Sequence, residues 1–257
     1  MNTLYFECNM GAAGDMLMAA LLELLPDPDN FITELNNVGI PNVNIERQTV
    51  IKCAIQGTGI NVFVGGVEEG GPLHEHQRGH HHHHTGINEI QAIIKNLRVS
   101  DKVKADVAAV YNLIAEAESH AHGRPMEQIH FHEVGTMDAV ADITGVCMLI
   151  EALAPDRIVT SHIHVGSGQV KCAHGILPVP APATAYILRG VPTYGGAVNG
   201  ELCTPTGAAL LKHFTDAFVS GNAMRVDKIG CGMGKRSFYA EDGTEILSAV
   251  RAMTGRG

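Results

Sequence analysis

The chain predicts an α/β or α+β fold, with mixed sheets, helices packed on them, and a His-rich disordered loop inserted. Three observations carry this. Short Val/Ile/Thr-rich runs alternate with helical periodicity along 257 residues; hydrophobic residues make up 45% although aromatics make up only 5%; and 29 glycines punctuate the changes between runs. The length suits one large domain or two small ones. With no tryptophan, the core must be built from Ala, Val, Ile, Leu and Met.

Residues 3–8 read as a strand and 12–25 (AAGDMLMAALLELL) as a helix. A second helix near 31–38 stops at Gly39, Pro41 and Asn42. Residues 43–64 form a hairpin broken at Gly57 and Gly59. From Gly65 to Gly86 periodicity vanishes and Gly, His and Glu dominate. This divides the chain into an N-terminal α/β subdomain (1–64), a flexible His-rich loop (65–86) and an α/β domain (87–257). Helices return at 87–97 and 101–121, the second with Val103, Val107, Val110, Leu113 and Ile114 at helical spacing. A strand at 128–132 precedes a helix at 137–153. The last third reads as strand 158–165, helices 181–189 and 205–214, and strands 224–230 and 245–252. Thr204-Pro205 is a helix start, a capping hydroxyl followed by proline. No internal repeat is visible.

Charge and composition exclude several partners. A net charge of −9 with 18 Lys+Arg offers nothing to hold a phosphate backbone, so no nucleic acid is expected. No apolar run approaches the roughly 20 residues of a membrane span. The start lacks a basic segment followed by an apolar signal core, which predicts a cytoplasmic protein. The six cysteines are scattered without a CxxC pair and read mainly as small buried hydrophobes.

The densest chemistry lies in His130-Phe131-His132-Glu133-Val134-Gly135-Thr136-Met137-Asp138 and on to Asp142. On a strand His130 and His132 share a face, and Asp138 and Asp142 share a face of the helix that follows. Imidazoles and carboxylates converging there form a mixed N/O donor set, suited to Ni, Mn, Fe or Zn. His130, His132 and Asp138 are the expected metal ligands, with Glu133 and Asp142 as ligand, base or orienting group. The competing reading is a helix start charged to complement its dipole.

A second metal-binding element is the tract His74, His76, His80, His81, His82, His83 and His84, seven of the chain's 15 histidines. Clustered neutral imidazoles favour Ni and Cu over Mn and Fe, and a flexible loop suits capture rather than catalysis. Two Gly-rich turns could hold a phosphate. Gly11 and Gly14 lead into Asp15, a candidate catalytic or metal-bridging group, and Gly166, Ser167 and Gly168 precede His174. Thr204 and Thr206 add hydroxyls at another helix start, where simple capping is the plainer reading.

Four segments, FECNMGAAGDMLMAALLEL, IHFHEVGTMDAVADITG, VGSGQVKCAHGILPVPAPAT and GELCTPTGAALL, resemble the LarC family of nickel insertion proteins, in order and through nearly the whole chain. The resemblance implies a chelatase of the lyase class. It would put nickel into pyridinium-3,5-bisthiocarboxylic acid mononucleotide, making the nickel-pincer nucleotide cofactor of lactate racemase. It also implies CTP hydrolysis with Mn²⁺ or Mg²⁺, full-length members of about 400 residues, and a His-rich insert. Glu7 departs from the aspartate usual in the family. The family's C-terminal portion, to which CTP binding and oligomer assembly are attributed, is expected as a separate partner. A homo-oligomer and contact with lactate racemase or other maturation proteins are further expectations. The rival functions are a non-catalytic nickel store or chaperone, and a metal-dependent phosphohydrolase.

Overall fold

The computed structural model describes residues 1–68, 85–131, 136–172, 175–221, 223–240 and 242–256, with only the backbone of Thr85 and His130. The main sheet has eight strands. Seven form its path: β1 (Asn2–Glu7), β2 (Val43–Lys52), β3 (Ile55–Val64), β4 (Arg157–Ser161), β5 (Ala217–Val219), β6 (Arg225–Met233) and β7 (Ala249–Arg256). Their spatial order is β5-β4-β1-β7-β6-β3-β2, and Val67–Glu68 pairs with β3 off this path. Strand β4 runs parallel to β1 and β5, and β6 parallel to β3; the remaining neighbours are antiparallel. The sheet is therefore mixed, as the class requires, and draws strands from both sides of the His-rich insert.

Seven helices accompany it among the described residues: α1 (Gly14–Leu22), α2 (Pro28–Asn36), α3 (Ile87–Asn96), α4 (Asp101–His122), α5 (Met137–Leu153), α6 (Pro182–Ile187) and α7 (Pro205–Phe214). Helix α1 is buried from Met16 through Leu22. A helix apolar all round belongs inside a fold. It lies directly on β6, where the strand has no side chain: a Cβ at Gly232 would stand 1.9 Å from the Met16 carbonyl oxygen. Helix α5 packs on α1, and α4 covers α5 with the predicted stripe Val103, Val107, Val110 and Ile114. These residues and the inner face of the sheet form one apolar core.

Capping sets the helix starts. Ser100 caps α4 through Val103 N–H at 3.1 Å, and Thr204 caps α7 through Gly207 N–H at 3.2 Å. Helix α2 starts earlier than the periodicity suggested, because Asp27 accepts from Asn30 N–H at 3.1 Å and Pro28 takes the first helical position. The expected strand 158–165 is divided: β4 ends at Ser161, and Ile163–His164 pairs instead with Thr193–Tyr194. The final strand lies at 249–256 rather than 245–252. The short strand expected between Gly168 and Cys172 is present as Gln169–Cys172, but its return strand Gly175–Pro178 and strand β5 were not anticipated; three and four residues are too short to show a period. Cys8, Cys147 and Cys203 are buried as expected, but Cys53 is exposed.

Candidate functional site

Three helix starts meet at one edge of the core. After β1 the chain turns through Gly11, at φ +77°, with its N–H on the Cys8 carbonyl at 3.1 Å. Ala12 N–H then donates to Leu202 O at 3.1 Å, and Thr204 N–H to Ala12 O at 3.0 Å, so the α1 and α7 starts lie side by side. Helix α5 contacts both helices. Each start carries the positive end of its helix dipole.

Into this region come the predicted carboxylates. Asp142 is only 5% exposed, and a Cβ at Gly14 would stand 2.7 Å from its Oδ2, so α1 admits the carboxylate only because residue 14 is glycine. The Asp15 N–H donates to the Asp142 carboxylate, while Asp142 Oδ1 accepts no hydrogen bond. Burial, then the charges of Asp138 and Asp15, push the Asp142 carboxyl well above the usual carboxylate range, against the pull of Lys235. Burial also raises Asp15, offset by Lys235, by the Met16 N–H at 2.8 Å and by Arg236. From α4, the buried Tyr111 hydroxyl has no hydrogen-bond partner; burial and then Asp142 and Asp138 raise its pKa. A buried carboxylate oxygen and a buried hydroxyl, both unpaired, are the polar groups a small cation or ligand would satisfy. Among the described residues, no three of His, Cys, Asp or Glu stand in metal-ligand geometry.

The imidazole half of the predicted site borders this cluster through its backbone. His130–Phe131 pairs antiparallel with Thr85–Gly86, and the Phe131 ring lies 6.2 Å from that of Tyr111. Thr136 then caps α5. His132 and Glu133 lie outside the described residues, as do His174 and His74, His76, His80, His81, His82, His83 and His84. The described flanks of the His-rich insert both reach this neighbourhood. Glu68 Oε1 is 3.9 Å from Lys235 Nζ, and Gly86 is the partner of His130.

The second Gly-rich turn is differently placed. A Cβ at Gly166 would stand 1.9 Å from Gly200 O, and one at Gly168 would stand 2.1 Å from Asn199 Oδ1. The chain from Val198 to Leu202 fills that space, with Ser167 Oγ donating to Val198 O at 2.9 Å. Thr204 is spent on capping, and its hydroxyl lies 3.0 Å from that of Thr206.

Three groups in or beside the cluster escaped sequence reading: Tyr111, Lys235 and Arg236. The basic pair had a signal, since Gly230-Cys231-Gly232-Met233-Gly234-Lys235-Arg236 is a Gly-rich strand end turning into cations. Tyr111 had none, being one apolar-stripe residue among many. His164 was also missed. It is buried, with Nδ1 2.9 Å from Asn9 O, and its ring stacks on Tyr194 at 4.7 Å.

Comparison with known proteins completes the description of the site. Residues 4–254 match the family model described as nickel insertion protein. Relatives named pyridinium-3,5-bisthiocarboxylic acid mononucleotide nickel insertion protein occur in Clostridium kluyveri and Geobacillus kaustophilus. The first is 40% identical over 99% of this chain and 62% of its own length, the second 36% identical over 97% and 59%. A third of the same name, from Staphylococcus epidermidis, is 35% identical over 96% of this chain and 58% of its own. The chain thus spans about six-tenths of the length of these relatives. No solved structure matches it.

Proposed function

The chain belongs to the family of nickel insertion proteins, and from that premise we propose that it inserts Ni(II) into pyridinium-3,5-bisthiocarboxylic acid mononucleotide, the compound its relatives are named for. The product is the nickel-pincer nucleotide that serves lactate racemase. The observation that supports this reading best is the Asp15–Asp138–Asp142 cluster, with an unpaired buried oxygen, at the start of the helix that the HFHE segment leads into.

The donor set fits the cargo. Carboxylates and imidazoles hold nickel less tightly than thiolates, so the metal can pass to the sulfur atoms of the substrate. Asp138, His130 and His132 are the proposed ligands. Forming a nickel–carbon bond on the pyridinium ring replaces a C–H bond and releases its proton. Asp142, Asp15 and Glu133 are the candidate acceptors, and a carboxylate with a raised pKa is the better base near neutrality. The histidine tract is the proposed nickel collector; its described flanks, at Glu68 and Gly86, lie beside this region.

We place CTP hydrolysis, with its Mn²⁺ or Mg²⁺, in the portion the longer relatives possess beyond the match. Nothing among the described residues of this chain forms a triphosphate loop. The decisive assay incubates the chain, with and without that portion of a relative, with nickel, CTP and the precursor. Mass spectrometry should detect the nickel-containing nucleotide when both portions are present. Nickel uptake with no such product under any combination would leave a nickel store, and phosphate release without precursor would point to a phosphohydrolase.

A further inference from the structure

Taking the proposed substrate as a pyridinium mononucleotide, we propose that Lys235 and Arg236 recognise its phosphate at the start of α1. Neither residue was among the sites anticipated from sequence, and the argument rests on how the fold presents them.

The segment after β6 is tied to Ser248 and lies against the first turn of α1. Gly234 N–H donates to Ser248 O at 2.9 Å, and a Cβ at Gly234 would come within 3.1 Å of Met16 Sδ in the first turn of the helix. Lys52 Nζ then donates to three successive carbonyls, Gly234 at 2.7 Å, Lys235 at 3.1 Å and Arg236 at 2.9 Å. One ammonium holding three adjacent carbonyls leaves this backbone few alternatives, so the two cationic side chains leave a fixed base. Both lower the Asp15 carboxyl and Lys235 also lowers that of Asp142, so their charges lie near the carboxylates beside the first turn of α1, against which Gly234 sits. In a chain of net charge −9, two adjacent cations against a helix start form a local anion site.

A second, independent feature points to a ligand here. Asp142 is 5% exposed and keeps one carboxylate oxygen without a partner, and that carboxylate lies against Gly14 in the same turn of α1. A carboxylate repels a bare phosphate but shares a divalent cation with one. The chemistry this combination recognises is a phosphate monoester held by Lys235 and Arg236, with the Asp15 and Asp142 carboxylates able to share its divalent cation.

The test uses two probes that differ only in the phosphate, nicotinic acid mononucleotide and its riboside, titrated calorimetrically into the full chain with magnesium present. Wild type should bind the mononucleotide at least about tenfold more tightly than the riboside, an increment typical of charge-assisted contacts. In the double variant Lys235→Gln/Arg236→Gln the two affinities should converge to within about twofold, with riboside binding unchanged. Arg236 is exposed, so Arg236→Gln alone keeps the fold and must by itself reduce the increment several-fold; Arg236→Lys should restore part of it. An increment that survives the double variant, or that is absent in wild type, overturns the assignment. Failed nickel insertion with an intact increment would break the proposed reaction and leave this site standing. Normal insertion without any increment would do the reverse.

Discussion

Two Gly-rich turns look alike in the sequence and differ in the molecule. Gly11–Gly14 and Gly166–Gly168 each follow a strand and carry small residues, and each could cradle an anion. At Gly168 the space a side chain would take is filled by Asn199, and at Gly166 by the Gly200 carbonyl. At Gly14 the same space is filled by the Asp142 carboxylate, in a region of raised carboxyl pKa values and nearby cations. The second turn is closed at both glycines by the 198–202 segment; the first is closed in the same way at Gly11, where a Cβ would stand 1.9 Å from Leu202 O, and meets reactive groups only at Gly14. What a glycine means therefore depends on what stands where its Cβ would be.

The comparison is broken or sharpened most by Asp142. Asp142→Asn should lower nickel insertion by about a hundredfold or more if this carboxylate handles metal or proton, whereas Ser167→Ala should change it by less than about threefold because Ser167 only tethers its own loop. Equal losses in the two variants, measured as turnover per folded molecule, would erase the distinction. The same asparagine should stabilise the metal-free protein. Asp142 has a folded-state pKa above its unfolded one, so its favourable contribution is complete below about pH 4 and is lost as pH rises through the folded value. Removing the buried charge should therefore add on the order of 1–2 kcal/mol at neutral pH, at roughly 2–4 °C in Tm per kcal/mol, and flatten the pH dependence of stability. A Tm that falls at neutral pH would show that Asp142 is already compensated.

The glycines themselves give the next contrast. Gly168→Ala forces a side chain onto φ +77° and into Asn199, costing about 1–3 kcal/mol of stability while nickel affinity per folded molecule stays constant. Gly14→Ala sits in a helix, where alanine is favoured, but its methyl displaces Asp142. Overpacking against the buried Asp142 should cost it about 1–3 kcal/mol as well, but nickel affinity per folded molecule should also fall by about tenfold, roughly the worth of a displaced orienting carboxylate. Thermal melts should fall for both variants and nickel affinity for Gly14→Ala alone; a Gly14→Ala protein with normal nickel affinity removes Asp142 from the site.

What the sequence made legible follows the physics of each signal. The long helices, the hairpin and the Thr204-Pro205 start were readable because periodicity and capping are local. Asp15, Asp138 and Asp142 were found as donors, but their meeting was not, since it depends on α5 crossing α1 at Gly14. Tyr111 was invisible because a tyrosine at a core-facing helical position looks like any apolar residue. Lys235 and Arg236 were passed over because a basic pair usually marks a solvated turn; only the Lys52 clamp and the neighbouring carboxylates distinguish this one. Gly166–Gly168 attracted attention as a phosphate turn because local sequence cannot reveal a distant segment such as Val198–Leu202 filling the space.

The smallest expected effect belongs to the histidine tract. A tract of this composition offers many weak imidazole sites, whereas metal transfer needs donors held in place. Thr85 and Gly86 must be spared, because they pair with Phe131 and His130 and Gly86 caps α3. Replacing residues 70–83 with a Gly/Ser linker therefore removes most of the tract and keeps both anchored flanks. Such a protein should bind fewer nickel ions by equilibrium dialysis, yet at saturating nickel its insertion rate should change by less than about twofold, the scale of a surface change away from the site. At limiting nickel the difference should widen, because capture then governs supply. Loss of insertion at saturating nickel would move the catalytic donors into the tract and leave the Asp15–Asp138–Asp142 cluster as a structural feature of the helix starts.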